Sequence, residues 1–185
     1  MIPAAQPDPT AGIPAQGPPL EALFQQHHGA VFRAAYRITG DLADAEDVLQ
    51  TVFVRLLRRE DELDLSESAS SYLHRAAVNA ALDLLRSRRR SRAVALAEVE
   101  EALEETAPGP ERSRGSREIG RQLRAALNRL PPKSAEIFAL RYFEERSNLE
   151  IARMLGASQT SIAVILHRAR HRLRKELGAY EGGLS

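Results

Sequence analysis

The densest run of side chains able to do chemistry is cationic. His167, Arg168, Arg170, His171, Arg172, Arg174 and Lys175 crowd a stretch whose apolar residues are Ile162, Ile165, Leu166, Ala169 and Leu173. Those apolar positions recur at helical spacing, so one edge of the helix is apolar and the rest presents positive charge. Cations at this density neutralise phosphates and fix register; they do not by themselves read a base sequence. A solvated face on an ordinary helical hairpin would also be polar, but it would not need so dense a run. A second run, Arg86, Arg88, Arg89, Arg90 and Arg92, ends an earlier helical stretch. The helix dipole favours cations there. Capping alone needs one or two, and the excess points to an anionic partner such as phosphate.

Other reactive groupings lead away from catalysis. His167 and His171 lie one helical turn apart, as two metal ligands would, but no Cys or carboxylate in that motif supplies a third. The chain has no cysteine, which excludes disulfides, thiolate zinc sites and thiol nucleophiles. Asp44, Glu46 and Asp47 cluster near a helix start, where the dipole already explains them. Glycine-rich phosphate loops, HExxH and G-x-S-x-G are all missing. The chain is therefore expected not to be an enzyme and to carry no cofactor and no metal. Gln50 is different: it has no capping value, yet it shares the polar side of its helix with Asp47, one turn away. An exposed Asp/Gln strip of this kind is a surface for docking another protein.

Helices must hold these groups. Of 185 residues, 43% are hydrophobic and 28% charged, a globular balance with a formal net charge of only +1. All ten prolines fall in the N-terminal stretch, at Pro108 and Pro110, or at Pro131 and Pro132. Long proline-free blocks remain, and these permit long helices. The first apolar stripe is Leu20, Leu23, Phe24, Val31, Phe32, Ala35 and Tyr36, ended by Gly40. The second, begun by Asp41 or Asp44, is Ala45, Val48, Leu49, Val52, Phe53, Leu56 and Leu57. Residues 60–71 are acidic and serine-rich, hence a loop. A third helix is expected from Ser71 to about Arg88, with a stripe of Tyr72, Ala76, Asn79, Ala80 and Asp83 beside Leu73, Ala77 and Leu84.

An acidic and then Pro/Gly-rich linker separates this block from a second one. Helices are expected there at Ile119–Leu130, Ala135–Phe143, Ser147–Leu155 and Ser158–Leu177. Ser147 and Glu150 have capping-box spacing. Gly156 stands where a left-handed residue ends a helix, and Ser158 can cap the next. Two helices joined by a tight glycine turn make the bihelical unit that enters the DNA major groove. No strand-like alternation is present. No apolar run approaches the roughly 20 residues that span a bilayer, and the N-terminus lacks a signal-peptide pattern. The expectation is a cytoplasmic protein without membrane insertion.

Taken in order, these residues resemble the sigma-70 family of RNA polymerase sigma factors, in its short extracytoplasmic-function group. "DAEDVLQTVF" and "SYLHRAAVNAALDLLRSRRR" look like region 2 of that family. "LNRLPPKSAEIFALRYFEERSNLEIARMLGASQTSIAVILHRARHRLRKEL" is similar to region 4. The resemblance implies an all-α chain of two small helical domains. Its parts would be a tail at 1–18, region 2 at 19–92, a linker at 93–117, region 4 at 118–178 and a tail at 179–185. It implies that Asp44, Asp47, Gln50, Thr51 and Val54 bind the β′ clamp helices of core polymerase. Ser66, Glu67, Ser68, Arg75, Asn79, Arg86, Arg88, Arg89 and Arg90 would bind the −10 element, with a flipped base held by the loop from Leu63 to Ala69. Ser158, Gln159, Thr160, Ser161, Ala163, Val164, His167, Arg168, His171 and Arg172 would bind the −35 element, and region 4 would meet the β flap. An anti-sigma factor or other regulator is the further partner it implies.

The sequence departs from the family pattern at Ala163, Val164 and Ile165, where a basic residue, Ser and Arg are usual. Thr160, Thr51, Tyr72 and Val78 also depart from it. The recognition helix is thus poor in donors in its N-terminal half. Ala163 and Val164 are expected to touch thymine methyls, leaving polar contacts to Gln159, Thr160, His167 and Arg168. The alternative is a helix-turn-helix regulator that acts without polymerase, or an adaptor that only docks on it. Neither the acidic linker nor the Asp47/Gln50 strip has a use in a free repressor.

Overall fold

The computed structural model describes residues 20–58, 69–98 and 111–181. The expected N-terminal tail, most of the acidic serine-rich loop, the middle of the linker and residues 182–185 lie outside the described residues. Among the described residues every regular element is an α-helix, and there is no strand. No single helix among them is long and apolar enough to cross a membrane.

Helices α1 (Leu20–Thr39), α2 (Leu42–Leu57) and α3 (Ala69–Glu98) form the first unit, each packed on the other two. The α1–α2 corner is set by two residues. Gly40 takes φ 70°, which a glycine adopts without strain, and its amide bonds the Tyr36 carbonyl at 2.7 Å. Asp41 then caps α2, its Oδ1 accepting from the Asp44 amide at 2.9 Å. Of the expected α1 stripe, Leu23, Val31 and Ala35 are buried, while Phe24 and Tyr36 stay over 40% exposed. Ala45, Val48, Val52, Phe53 and Leu56 of α2 are buried as their spacing requires.

Helix α3 differs from expectation in face and length. Its buried residues are Leu73, Ala77, Val78, Ala80, Ala81 and Leu82. Tyr72, Ala76 and Asn79 are only partly covered, and Asp83 is exposed. The reason is that α3 is central: α1, α2, α5 and α6 all pack on it. A helix buried on several sides has no single stripe to detect. It continues to Glu98 rather than ending near Arg88. No proline or glycine interrupts residues 89–105, and Arg, Ala, Leu and Glu are good helix formers.

The second unit comprises α4 (Glu111–Leu127), α5 (Pro132–Tyr142), α6 (Asn148–Leu155) and α7 (Gln159–Glu181). Helix α4 begins earlier than the expected Ile119. Helix α5 starts on Pro132, a position that lacks an intrahelical acceptor in any case. Glu145 supplies the α5–α6 turn with φ 55°, a left-handed backbone in a residue that rarely adopts it. The capping box before α6 is complete: the Ser147 hydroxyl accepts from the Glu150 amide at 3.2 Å, and Glu150 Oε2 accepts from the Ser147 amide at 2.8 Å. Those bonds hold the Glu150 carboxyl below its usual range. Gly156 closes α6 with φ 59°, and Ser158 Oγ accepts from the Ser161 amide at 3.1 Å to open α7.

Asp44 is 1% exposed and pairs with Arg88 of α3. Burial pushes its carboxyl above the usual range; Arg88 opposes the rise, and Asp41 and Asp47 add to it. Of the residues that the resemblance implies for polymerase docking, Asp44 is the buried one, and in this structure it ties α2 to α3.

Two outcomes follow from these local structures. Ser147→Ala should lower stability by about 1 kcal/mol and the melting temperature by a few degrees. An unchanged melting curve by circular dichroism would mean that tertiary packing alone holds α6. For Asp44, the folded state binds more protons than the unfolded one above the unfolded value. Its contribution therefore falls as pH rises through the raised folded value. Asp44→Asn should remove that slope, so the variant gains on the parent chain from about pH 4 upward. Parallel urea curves at each pH would contradict this.

Candidate nucleic-acid interface

Helices α6 and α7 meet at 109°, within the range of helix-turn-helix units. Three features fix that corner: the Ser147 cap, the left-handed Gly156 and the Ser158 cap. Behind it Ile151, Ala152, Ile162, Leu166, Ala169 and Leu173 are buried, so α7 cannot rotate about its axis without exposing its apolar edge. That burial aims the other side outward. Ser158, Gln159, Thr160, Ser161, Ala163, Val164, His167, Arg168, His171 and Arg172 are all exposed. The first half of this surface is small, hydroxyl-bearing and apolar; the second half is cationic. Such a helix can press Ala163 and Val164 against base methyls while its C-terminal half holds phosphates.

The residues expected to meet the −10 element separate into three groups. Arg75 and Asn79 come together on α3. Arg75 Nε donates to Glu136 Oε1 at 2.7 Å, and Asn79 Nδ2 donates to that same oxygen at 2.9 Å. Beside them lies a cavity of about 520 Å³ lined by Val52, Arg55, Arg58, Tyr72, Ala76, Arg75 and Asn79. An aromatic wall among guanidinium groups suits an unstacked base and its phosphate. Arg55 and Arg58 were missed from sequence, because a cation at the end of α2 reads as a partner for the helix dipole. The arginine run is a separate group. Arg86 Nη1 donates to Asp83 Oδ1 at 3.1 Å and Arg88 pairs with Asp44, whereas Arg89 and Arg90 are exposed. A groove of about 840 Å³ places Arg88, Arg89 and Arg92 opposite Arg121 and Arg124 of α4. Ser66, Glu67 and Ser68 lie outside the described residues.

On α2, Asp47, Gln50 and Val54 are exposed along one face and Thr51 is half-covered between them. Leu57 adds an apolar surface that is 55% exposed. Apolar groups beside an acid and an amide make a mixed strip suited to a protein partner.

Comparison with known proteins agrees with this layout. Residues 23–91 match the family described as Sigma-70 region 2, and residues 120–173 the family described as Sigma-70, region 4. The ECF RNA polymerase sigma factor SigE of Mycolicibacterium smegmatis is 33% identical over 183 residues, covering 96% of this chain and 71% of that one. The RNA polymerase sigma-E factor of Streptomyces coelicolor is 32% identical over 162 residues, covering 86% of each. The ECF RNA polymerase sigma factor SigW of Bacillus subtilis is 30% identical over 157 residues, covering 80% of this chain and 82% of that one. In fold, the chain is similar to CnrH as solved in complex with the cytosolic domain of CnrY, with a TM-score of 0.54 and 24% identity, over 86% of this chain and 88% of that one. An exposed, capped helix-turn-helix behind a cationic three-helix unit, matched over both parts by one family, places the chain in the sigma-70 family of RNA polymerase sigma factors, in its extracytoplasmic-function group.

Proposed function

We propose that this sigma factor divides its work among three surfaces of its own chain. Asp47, Gln50, Thr51 and Val54 dock on the β′ clamp helices of core polymerase. Arg75 and Asn79, with Arg55, Arg58 and Tyr72 around the adjoining cavity, capture the separated −10 strand, while Arg89 and Arg90 follow its phosphates. The exposed side of α7, from Gln159 to Arg172, reads and grips the −35 duplex, and region 4 meets the β flap. The chain works in the cytoplasm as a binding protein with no reaction of its own, under an anti-sigma factor or other regulator.

The observation that carries this reading is the exposure of every expected −35 contact on one side of α7, opposite a buried apolar edge. Base flipping costs a few kcal/mol of stacking. Aromatic stacking on Tyr72 and charge from Arg55, Arg58 and Arg75 offset it. A regulator acting without polymerase would leave the exposed Asp47/Gln50/Val54 strip without a purpose.

Replacing Asp47 and Gln50 together with alanine should weaken association with core polymerase about tenfold, the loss expected when one of the two belongs to the minority of interface residues that cost more than about 1 kcal/mol on truncation. Both side chains are exposed, so the circular dichroism spectrum should not change. Unaltered core affinity would remove the strip from the reading. Replacing Arg168 and Arg172 with alanine in the holoenzyme should weaken promoter binding on every −35 sequence alike. It should also reduce the slope of log affinity against log salt by about 2. A loss confined to particular −35 sequences would make these residues base readers instead.

A further inference from the structure

The side of α7 that faces away from its buried edge has an apolar centre. Ile162 and Leu166 are both buried, and Val164 lies two residues from each. At about 3.6 residues per turn, Val164 stands about 200° round the helix from both and points away from the core. It is 43% exposed, the large aliphatic side chain of α7 left open among the described residues. Thr160 lies one turn before it and His167 one turn after it, both exposed. A lone exposed valine is ordinary on a protein surface, but this one sits at the middle of the face that meets the −35 duplex in the reading above. Its neighbours are placed otherwise. Ser158 Oγ accepts from the Ser161 amide at 3.1 Å, and the two hydroxyls are hydrogen-bonded at 2.8 Å, so both serines close the helix cap. Gln159 and Ala163 lie to one side, on the rim of a recess of about 470 Å³ shared with Arg141 and Tyr142 of α5. Of the two apolar residues expected to touch thymine methyls, Val164 is therefore the one aimed outward. The bidentate contact to guanine needs an arginine or lysine, and residues 158–164 contain neither. What an isopropyl group can recognise in a major groove is the 5-methyl group of a pyrimidine.

We propose that Val164 makes this factor a reader of a 5-methylpyrimidine in the −35 element: one base there is recognised by its methyl group, packed against the Val164 side chain, and not by a cationic donor. This rests on the reading above that the exposed side of α7 enters the −35 duplex. Thymine and 5-methylcytosine carry the same methyl group. They differ at position 4, where thymine presents an acceptor oxygen and cytosine a donor amino group. The Thr160 hydroxyl, one turn from Val164, can donate to the first or accept from the second. The methyl group is thus the shared feature that Val164 selects, and either base can supply it.

The test uses the holoenzyme, core polymerase with the full-length chain, on duplex promoters whose −35 hexamer has first been selected from a randomised pool. Each −35 thymine, on either strand, is then replaced singly by deoxyuracil, which removes only the methyl group. Each −35 cytosine is replaced by 5-methylcytosine, which adds only that group. At one thymine position uracil should weaken binding about fourfold, the worth of one buried methyl group. V164A should weaken binding to the thymine promoter to the same degree and bring the thymine-to-uracil ratio at that position to about one. Val164 is exposed, so V164A should unfold at the same temperature as the parent chain. A loss with uracil and no gain with 5-methylcytosine identifies thymine as the ligand. A gain at a cytosine that is also lost in V164A shows that the methylated base serves as well. The absence of a methyl effect at every −35 position overturns the proposal, and so does a methyl effect that V164A leaves unchanged. The pool judges the reading beneath. Binding indifferent to the −35 hexamer would remove α7 from that duplex, whereas a selected hexamer with no Val164-dependent methyl effect leaves α7 there and sinks only the assignment of Val164.

Discussion

One helix has to satisfy opposite demands, and the rest of the structure follows from how it does so. Helix α3 buries Leu73, Ala77, Val78, Ala80, Ala81 and Leu82, with α1, α2, α5 and α6 packed around it. Each buried aliphatic side chain contributes about 1.5–3 kcal/mol, so its position is fixed by both units. Charged and amide groups on the same helix can then lie only at the seams between its neighbours. Arg75 and Asn79 sit at such a seam, fixed in place but reachable. Rigid backbone under polar contact groups is what a site for single-stranded nucleic acid requires, because the strand itself brings no order.

Local chemistry was legible in the sequence and long-range chemistry was not. The Ser147–Glu150 box, the left-handed Gly156 and the apolar edge of α7 each involve residues within a turn or two of one another, and all three stand in the structure as their spacing predicts. The exposed side of α7 follows from that edge. By contrast, the α3 stripe was misplaced because α3 has no single buried side. Asp44 looked like surface acid at a helix start, yet Arg88, 44 positions later, pulls its environment inward. Glu136 and Glu144 gave no signal, since their partners Arg75, Asn79, Arg37 and His74 lie 57 to 107 positions away. Glu145 gave none either: a left-handed turn is marked in sequence by Gly or Asn, and here neither is present.

The near-neutral total charge acquires a structural meaning once the pairs are placed. Twenty-six cationic side chains stand against twenty-five anionic ones, but they are not uniformly matched. On the exposed side of α7, His167, Arg168, His171 and Arg172 have solvent around them. On the first unit, Arg75 meets Glu136 and Arg37 meets Glu144. One cationic surface is thus left bare, while Arg37 and Arg75 of the other are paired within the chain. Composition reports only the sum, which is why a polyanion-binding protein of this kind does not look basic.

That asymmetry also bears on the order of events at a promoter. Duplex −35 DNA offers its phosphates before any melting, and on the reading proposed above the exposed side of α7 is the surface that would meet it. Separated −10 strand exists only after the duplex has been unwound, and on the same reading Arg75 and Asn79, which would meet it, are hydrogen-bonded to Glu136. A factor that exposed strong single-strand contacts at all times would be drawn to any unpaired nucleic acid, since stacking and charge carry little sequence information. Glu136, itself only 8% exposed, engages both Arg75 and Asn79 and so competes with such a strand for them. The contact is not ionic alone: α5 and α6 also pack on α3, so parting the units would return buried apolar surface to water.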